Sequence, residues 1–373
     1  MKLCIVVGAR PNFIKAAPLV TAIKKFQKKH KDLTYFILHT GQHFDVNMSD
    51  VFFDEMKIPR PDYQLDVDMG STHGKQTGEM LIKLEEVMIA EKPDMVISIG
   101  DTNSTLAGAL AAAKLTIPIA HVEAGLRMYA KHLAEDVNRV VTDHMSTLLF
   151  APSAVGRKNL EREGFPKSAV YQYGDVMYDA LLQFDKIADK TAKVFKNLKL
   201  KKKGFVLVTM HRIENTYSIE RARIILDALV ETAKEIKVVL PLHPRTRNML
   251  KQHNLFDYYS EHLILTDPVG YLDMLVLEKH AKLVVTDSGG VQKEAFYQKT
   301  PCIFYFDDKT SWTELVELGW MTEVVPKSKE QMFKQIKKAL HAGPGKKGNP
   351  YGKGNSAELM IGKIIEHLKG KKK

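Results

Sequence analysis

Cysteine is almost absent from this chain: 373 residues include only Cys4 and Cys302, and there are two tryptophans. Each cysteine sits inside an apolar, strand-like run. Core thiols are therefore expected rather than a disulfide or a metal pair, and a reducing cytoplasm is the expected location. Also missing is any apolar stretch near the roughly 18–20 residues that span a bilayer. The opening Met1-Lys2-Leu3-Cys4-Ile5-Val6-Val7-Gly8 is too short and wrongly flanked for a signal peptide, and reads as a first β-strand. No trio of His, Cys or Asp has zinc-ligand spacing, so no metal is expected. There is no Gly-x-Ser-x-Gly elbow and no Walker sequence. The turn after the first strand lacks the Gly-x-Gly-x-x-Gly spacing, so a dinucleotide fingerprint is not supported.

Charge of one sign is abundant. The formal net charge is +11, which raises the question of nucleic acid. Much of the excess lies in Lys199, Lys201, Lys202 and Lys203 and in the terminal Lys369, Lys371, Lys372 and Lys373. Neither cluster is interleaved with aromatic residues as a single-strand groove would be. Solvated lysines with a bias toward anionic ligands are the expectation, with no nucleic-acid and no membrane partner.

The length exceeds what one core usually supports, so two domains are expected. Short β-branched runs alternate with amphipathic helical patterns, and continuous apolar strands such as Met95-Val96-Ile97-Ser98-Ile99 fit burial on both faces. That alternation predicts an α/β protein of two doubly wound, Rossmann-like domains facing a central cleft. The alternation loosens over 165–205, which places a junction near residue 170. The expected division is residues 1–170, completed by a C-terminal helix over 355–373, and residues 171–354.

Functional residues of such domains belong just after strands, and several constellations stand there. Val284-Val285-Thr286-Asp287-Ser288-Gly289-Gly290-Val291-Gln292-Lys293-Glu294 runs from a buried strand into a helix. Two glycines and the unpaired N–H groups of a helix start suit a phosphate, and Glu294, one turn in, is within reach of sugar hydroxyls. Taken alone, the same residues also serve as a simple loop-to-helix cap. Gly8-Ala9-Arg10-Pro11-Asn12-Phe13-Ile14-Lys15 offers a fork and a point charge for a pyrophosphate, or a solvated helix start. Asp101 follows one strand, either as a helix N-cap or as a carboxylate turned toward the cleft. Glu123 follows another, and Glu135 and Asp136 open a helical pattern. Three carboxylates at such ends suit acid–base work on a substrate carbon. In the second half, Thr209-Met210-His211-Arg212 and Leu242-His243-Pro244-Arg245 repeat the theme. His211 fits either a residue facing a leaving phosphate or a satisfied histidine at a helix start.

Together these segments resemble the non-hydrolysing UDP-N-acetylglucosamine 2-epimerase family over nearly the full length. The matches run in order: Gly-Ala-Arg-Pro with Lys15, Thr40-Gly41-Gln42-His43, Gly100-Asp101-Thr102 and His121-Val122-Glu123-Ala124-Gly125-Leu126-Arg127. They continue through Gly174-Asp175-Val176, His211-Arg212 with Glu214-Asn215, His243-Pro244-Arg245 and Thr286-Asp287-Ser288-Gly289-Gly290. The resemblance implies a GT-B-type fold and cofactor-independent C2 epimerisation of a UDP-2-acetamido sugar of the UDP-GlcNAc/UDP-ManNAc type. It further implies elimination of UDP to a bound 2-acetamidoglucal, followed by re-addition. Asp101, Glu123 and Glu135 resemble the family's catalytic carboxylates, and His211 its catalytic histidine. Arg10, Ser288, Gly289 and Gly290 resemble its diphosphate contacts, with Glu294 on the ribose and Met274 near the uracil. Lys15 and His243 match further site positions. Gln42 and Gln76 remain of the residues associated with binding a second, activating substrate molecule, while Lys75 stands where arginine is usual. A homodimer is expected.

The departures bear on the sugar. Ala134-Glu135-Asp136 stands where relatives carry Pro-Glu-Glu, Met128-Tyr129-Ala130-Lys131-His132-Leu133 is atypical, and Phe306-Asp307-Asp308-Lys309-Thr310-Ser311-Trp312 follows a strand after which an arginine is common, with Lys309 as a point charge in its stead. Alternative expectations are the same chemistry on UDP-2,3-diacetamido-glucuronate or a 6-deoxy-2-acetamido-hexose, and a hydrolysing 2-epimerase that releases UDP and free sugar.

Overall fold

A computed structural model describes residues 1–41, 53, 58–68, 70, 72–130 and 132–370. The chain divides into two compact units, Met1–Gln183 with Asn349–Lys373, and Phe184–Gly348. The first holds a seven-stranded sheet in the order β3-β2-β1-β4-β5-β6-β7. Its strands are β1 (Lys2–Val7), β2 (Thr34–His39), β3 (Tyr63–Gln64), β4 (Met95–Ile99), β5 (Ile119–Val122), β6 (Leu148–Ala151) and β7 (Val170–Gln172). The second holds a six-stranded sheet in the order β10-β9-β8-β11-β12-β13. These are β8 (Phe205–Thr209), β9 (Lys237–Pro241), β10 (Ile264–Thr266), β11 (Leu283–Thr286), β12 (Cys302–Tyr305) and β13 (Met321–Val324).

The described pairings are parallel, with β1 flanked by β2 and β4 and β8 flanked by β9 and β11. A parallel strand needs a crossover, and right-handed crossovers place helices on both faces. Central strands are therefore buried throughout and largely apolar: every residue of β4 and of β8 is buried. In each unit the chain steps outward from the first strand, then returns to its other side, so strand order reverses between β1 and β4 and between β8 and β11. A crevice opens at such a reversal, beyond the carboxyl ends of the strands. Both cysteines lie inside sheets, where burial pushes their thiols up. Among the described residues no helix is long and apolar enough to cross a membrane.

The division between units falls within the helix Val176–Thr191, not near residue 170. Val170–Gln172 is an edge strand paired with β6, too short for its alternation to stand out in the sequence. The closing helix Ser356–Gly370 packs on Arg10–Gln27, with Lys25 2.7 Å from Glu358. Its start is held by Asp179, whose carboxylate accepts from the Ala357 N–H at 2.8 Å.

Candidate active site

In the first unit the carboxyl ends of β1, β4 and β5 each carry a functional group. Asn12, in the first turn of the helix Arg10–Gln27, ties two of these ends together. Its Oδ1 accepts from Ala9 N–H at 3.0 Å, and its Nδ2 donates to the Ile99 carbonyl at 3.0 Å. One turn further, Lys15 is buried and its ammonium contacts the buried Glu123 carboxylate. Burial opposes the charge on Lys15, but Glu123, Asp101 and Asp175 outweigh it and hold the ammonium above the usual lysine range. Glu123 itself has φ 76, a left-handed conformation that disfavours a side-chain-bearing residue and that persists only where neighbours enforce it.

Asp101 is not the cap of the helix Asn103–Lys114. Thr102 is: its Oγ1 accepts from Thr105 N–H at 3.3 Å while the Thr105 hydroxyl accepts from Thr102 N–H at 3.2 Å. The Asp101 carboxylate is thereby released from capping and pairs with the buried Arg139 guanidinium. Asn138 donates to the Asp101 carbonyl at 2.9 Å and to Asn103 Oδ1 at 3.2 Å, and Asn103 donates to Gln76 Oε1 at 3.2 Å. Glu135 and Asp136 occupy the first turn of Ala134–Met145 and point apart. Glu135 is exposed, whereas Asp136 is buried and accepts from Met128 N–H at 2.9 Å and Ala130 N–H at 3.0 Å. The backbone at Met128 and Ala130, ahead of this helix, is thus clamped by Asp136.

In the second unit, Asp287 at the end of β11 organises the turn after β8. Its fully buried carboxylate accepts from His211 Nδ1 at 2.7 Å, Arg212 N–H at 3.0 Å and Asn215 Nδ2 at 3.1 Å. Burial pushes this carboxyl up, but those bonds prevail and hold it below the usual range. With Nδ1–H committed to Asp287, the half-exposed imidazole turns Nε2 outward. Arg212 donates from Nε to the Asp287 carbonyl at 2.8 Å and lies 4.2 Å over the Phe306 ring. Phe306 thus supplies a face for Arg212 to stack on.

The helix Gly289–Tyr297 begins beside this turn. Ser288 is its N-cap, yet the Ser288 side chain makes no capping bond. A Cβ added at Gly289 or Gly290 would meet nothing within 4 Å, and neither backbone has positive φ. No internal packing or strain therefore calls for glycine here; the two glycines keep the helix start open to a close approach from outside. Further along, Glu294 is buried, and burial together with the nearby Glu294 charge pushes the Tyr271 hydroxyl up. His243 is exposed, and its Nδ1 accepts from Arg245 N–H at 3.2 Å. Met274 is half-buried on Tyr271–His280. Burial lowers the Arg10 pKa at the start of its helix.

Each unit thus collects most of its sequence-derived candidates at its strand reversal: Arg10, Lys15, Asp101 and Glu123 in the first, His211, Ser288, Gly289 and Gly290 in the second. Glu135 is exposed in the first turn of the helix Ala134–Met145, four residues before Arg139. Gln42 lies outside the described residues. Sequence reasoning missed Asn12, Arg139 and the anchoring role of Asp287. Asp287 carried a signal, since an acidic residue ending a buried strand needs donors; Arg139 is an ordinary helix arginine in sequence. Among the described residues no group of three or more His, Cys, Asp or Glu side chains is placed to hold a metal ion.

A sequence profile for UDP-N-acetylglucosamine 2-epimerase matches residues 25–366. A relative from Methanococcus maripaludis, named UDP-N-acetylglucosamine 2-epimerase homolog, is 45% identical over 372 residues, 99% of each chain. The UDP-2,3-diacetamido-2,3-dideoxy-D-glucuronate 2-epimerase of Pseudomonas aeruginosa is 43% identical over 99% of each chain. Among solved structures, Methanocaldococcus jannaschii UDP-GlcNAc 2-epimerase in complex with UDP-GlcNAc and UDP is similar at a TM-score of 0.88 and 41% identity. That likeness covers 98% of this chain and 100% of the other.

Proposed function

The chain belongs to the UDP-N-acetylglucosamine 2-epimerase family, and on that footing we propose that it interconverts the C2 epimers of a UDP-2-acetamido sugar without an added cofactor. The C2 hydrogen has no adjacent carbonyl to acidify it. In the proposed route a carboxylate takes the C2 proton while the C1–O bond to UDP breaks on the opposite face. The C–H electron pair becomes the C1=C2 bond of a 2-acetamidoglucal, and the C–O pair leaves with the diphosphate. Return of a proton to the other face of C2 and re-addition of UDP at C1 complete the inversion.

Asp101, Glu123 and Glu135 are the proposed proton-transfer groups. Lys15 pairs with Glu123, and Arg139 pairs with Asp101. Ser288, Gly289 and Gly290, with Arg10 and His211, are proposed to hold the diphosphate, Glu294 the ribose and Met274 the uracil. His243 is a further proposed nucleotide contact, and Gln42 and Gln76 belong to a proposed second-substrate site. The observation that carries this reading is the imidazole of His211, fixed by Asp287 beside an open helix start. Such a pair stabilises an anion that forms and departs. Cytoplasmic location and a homodimer belong to the same proposal; light scattering of the purified protein tests the second.

The test is proton NMR of a UDP-sugar panel incubated with the protein in deuterium oxide. We expect a UDP-linked C2 epimer carrying deuterium at C2. Free sugar with stoichiometric UDP identifies a hydrolysing enzyme instead, and turnover with C2 fully protonated excludes elimination. The panel includes UDP-2,3-diacetamido-glucuronate and a 6-deoxy sugar, since the Pseudomonas aeruginosa relative named for the former is 43% identical.

A further inference from the structure

His121, in β5, lies two residues before Glu123 and is fully buried. Both of its ring nitrogens face acceptors: Nδ1 is 2.6 Å from Asp143 Oδ1, and Nε2 is 2.8 Å from the Gly100 carbonyl. A neutral imidazole carries one N–H and must leave the other nitrogen as an acceptor, so only the doubly protonated ring satisfies both contacts. Asp143 is the group better suited to stay ionised. Its second oxygen accepts from Gly125 N–H at 3.0 Å and lies 2.8 Å from Arg127 Nη2, contacts that favour the carboxylate. Arg127 in turn contacts Glu163 through Nε at 2.8 Å and Nη2 at 2.6 Å. Two cations and two anions alternate along this chain, so its net charge is zero and its burial is tolerable. Burial pushes the Asp143 carboxyl up, yet His121 and Arg127 hold it below the usual range.

The backbone groups that this network grips flank the candidate carboxylates. Gly100 immediately precedes Asp101 and has φ 74. On the other side, Glu123 and Gly125 have φ 76 and φ 80, and a Cβ at Gly125 would lie 2.2 Å from the Gly156 carbonyl oxygen. The left-handed Glu123 is costly unless its turn is pinned, and the pins are Phe150, whose carbonyl accepts from Glu123 and Ala124, and Asp143 at Gly125.

We infer that His121 is a permanent imidazolium in the folded protein, a positioning residue whose two N–H groups brace the turns that present Asp101 and Glu123. The positioning half rests on the epimerase reading; the charge state does not. Nitrogen-15 NMR of the full-length protein with labelled histidine tests the charge, His121 being assigned by loss of its signals in His121→Asn. Both ring nitrogens are expected to be protonated, with slowly exchanging N–H protons, from pH 6 to pH 9. A single pyridine-type nitrogen in that range overturns the inference. For positioning, His121→Asn is expected to lower kcat by roughly 10²-fold, the scale of an ångström-sized misplacement. KM and UDP binding by calorimetry should stay near those of the parent. Unchanged kcat with an intact imidazolium in the parent overturns the positioning role. Absence of turnover on every UDP-sugar by the parent protein indicts the epimerase reading instead and leaves the NMR result to decide the charge. Should His121→Asn fail to fold, the parent's histidine spectrum is assigned through Asp143→Asn, which is expected to let His121 lose one ring proton.

Discussion

Replacing Asp287 with asparagine probes the second unit most directly. The parent carboxylate accepts from His211 Nδ1, Arg212 N–H and Asn215 Nδ2 at 2.7, 3.0 and 3.1 Å, and it is completely buried. An asparagine keeps one acceptor oxygen and turns an NH2 group toward donors. About two charge-assisted bonds are lost, each worth roughly 1.5–3 kcal/mol, so destabilisation of about 3–6 kcal/mol is expected. For a folding unit of this size that corresponds to a fall in melting temperature of roughly 6–24 °C. The imidazole also loses its orienting partner, and a Ser-His-Asp site loses about 10⁴-fold in kcat from the equivalent change. A loss of at least about 10²-fold is expected here, below the melting transition, in the deuterium-incorporation assay. Circular dichroism melts and NMR turnover on the same preparations measure both effects. A variant that melts with the parent and turns over at the parent's rate refutes the assignment of Asp287 as the anchor of His211.

Lys15→Met leaves Glu123 buried without its counter-charge, so its carboxyl should rise in pKa and the activity profile should shift to higher pH with a large fall in rate; a pH–rate profile checks this. Asp136→Ala removes the acceptor for the Met128 and Ala130 N–H groups, and hydrogen exchange at those amides should accelerate, with stability reduced by about 2 kcal/mol. Phe306→Ala takes the ring from beneath Arg212 and should weaken UDP binding by about 1 kcal/mol or less, read by calorimetry. Acid unfolding should follow Asp143 and Asp287, whose folded pKa values are depressed. Their stabilisation is fully present above the unfolded value of about 4 and drains away as the pH falls through the folded values. Asp143→Asn should flatten that acid limb in pH-dependent urea melts.

Most of the architecture was legible because two-sided burial writes itself into sequence. Val206, Leu207 and Val208 are apolar whichever face they point to, and the same holds for Val96 and Ile97. Short edge strands such as β3, β7 and β13 were not legible, because an edge strand buries one face for only a few residues and no period emerges. Asp101 shows a different limit. Its position after a strand, taken alone, favoured capping over chemistry, whereas in the fold the Thr102–Thr105 exchange of bonds takes over the capping.

What the sequence determined alone was local: apolar runs that must be strands, glycines and acidic residues at their ends, and an ordered set of motifs that identifies the family. Which of those polar groups meet was decided by tertiary structure. Lys15 and Glu123 are 108 positions apart, His211 and Asp287 76 apart, and His121 and Asp143 22 apart. The first two pairs meet because parallel strands bring their carboxyl ends to one edge of a sheet, and the third because the helix Ala134–Met145 packs back on β5. There, out of water, a charge is tolerated only beside its partner, so the pairing sets which groups are ionised.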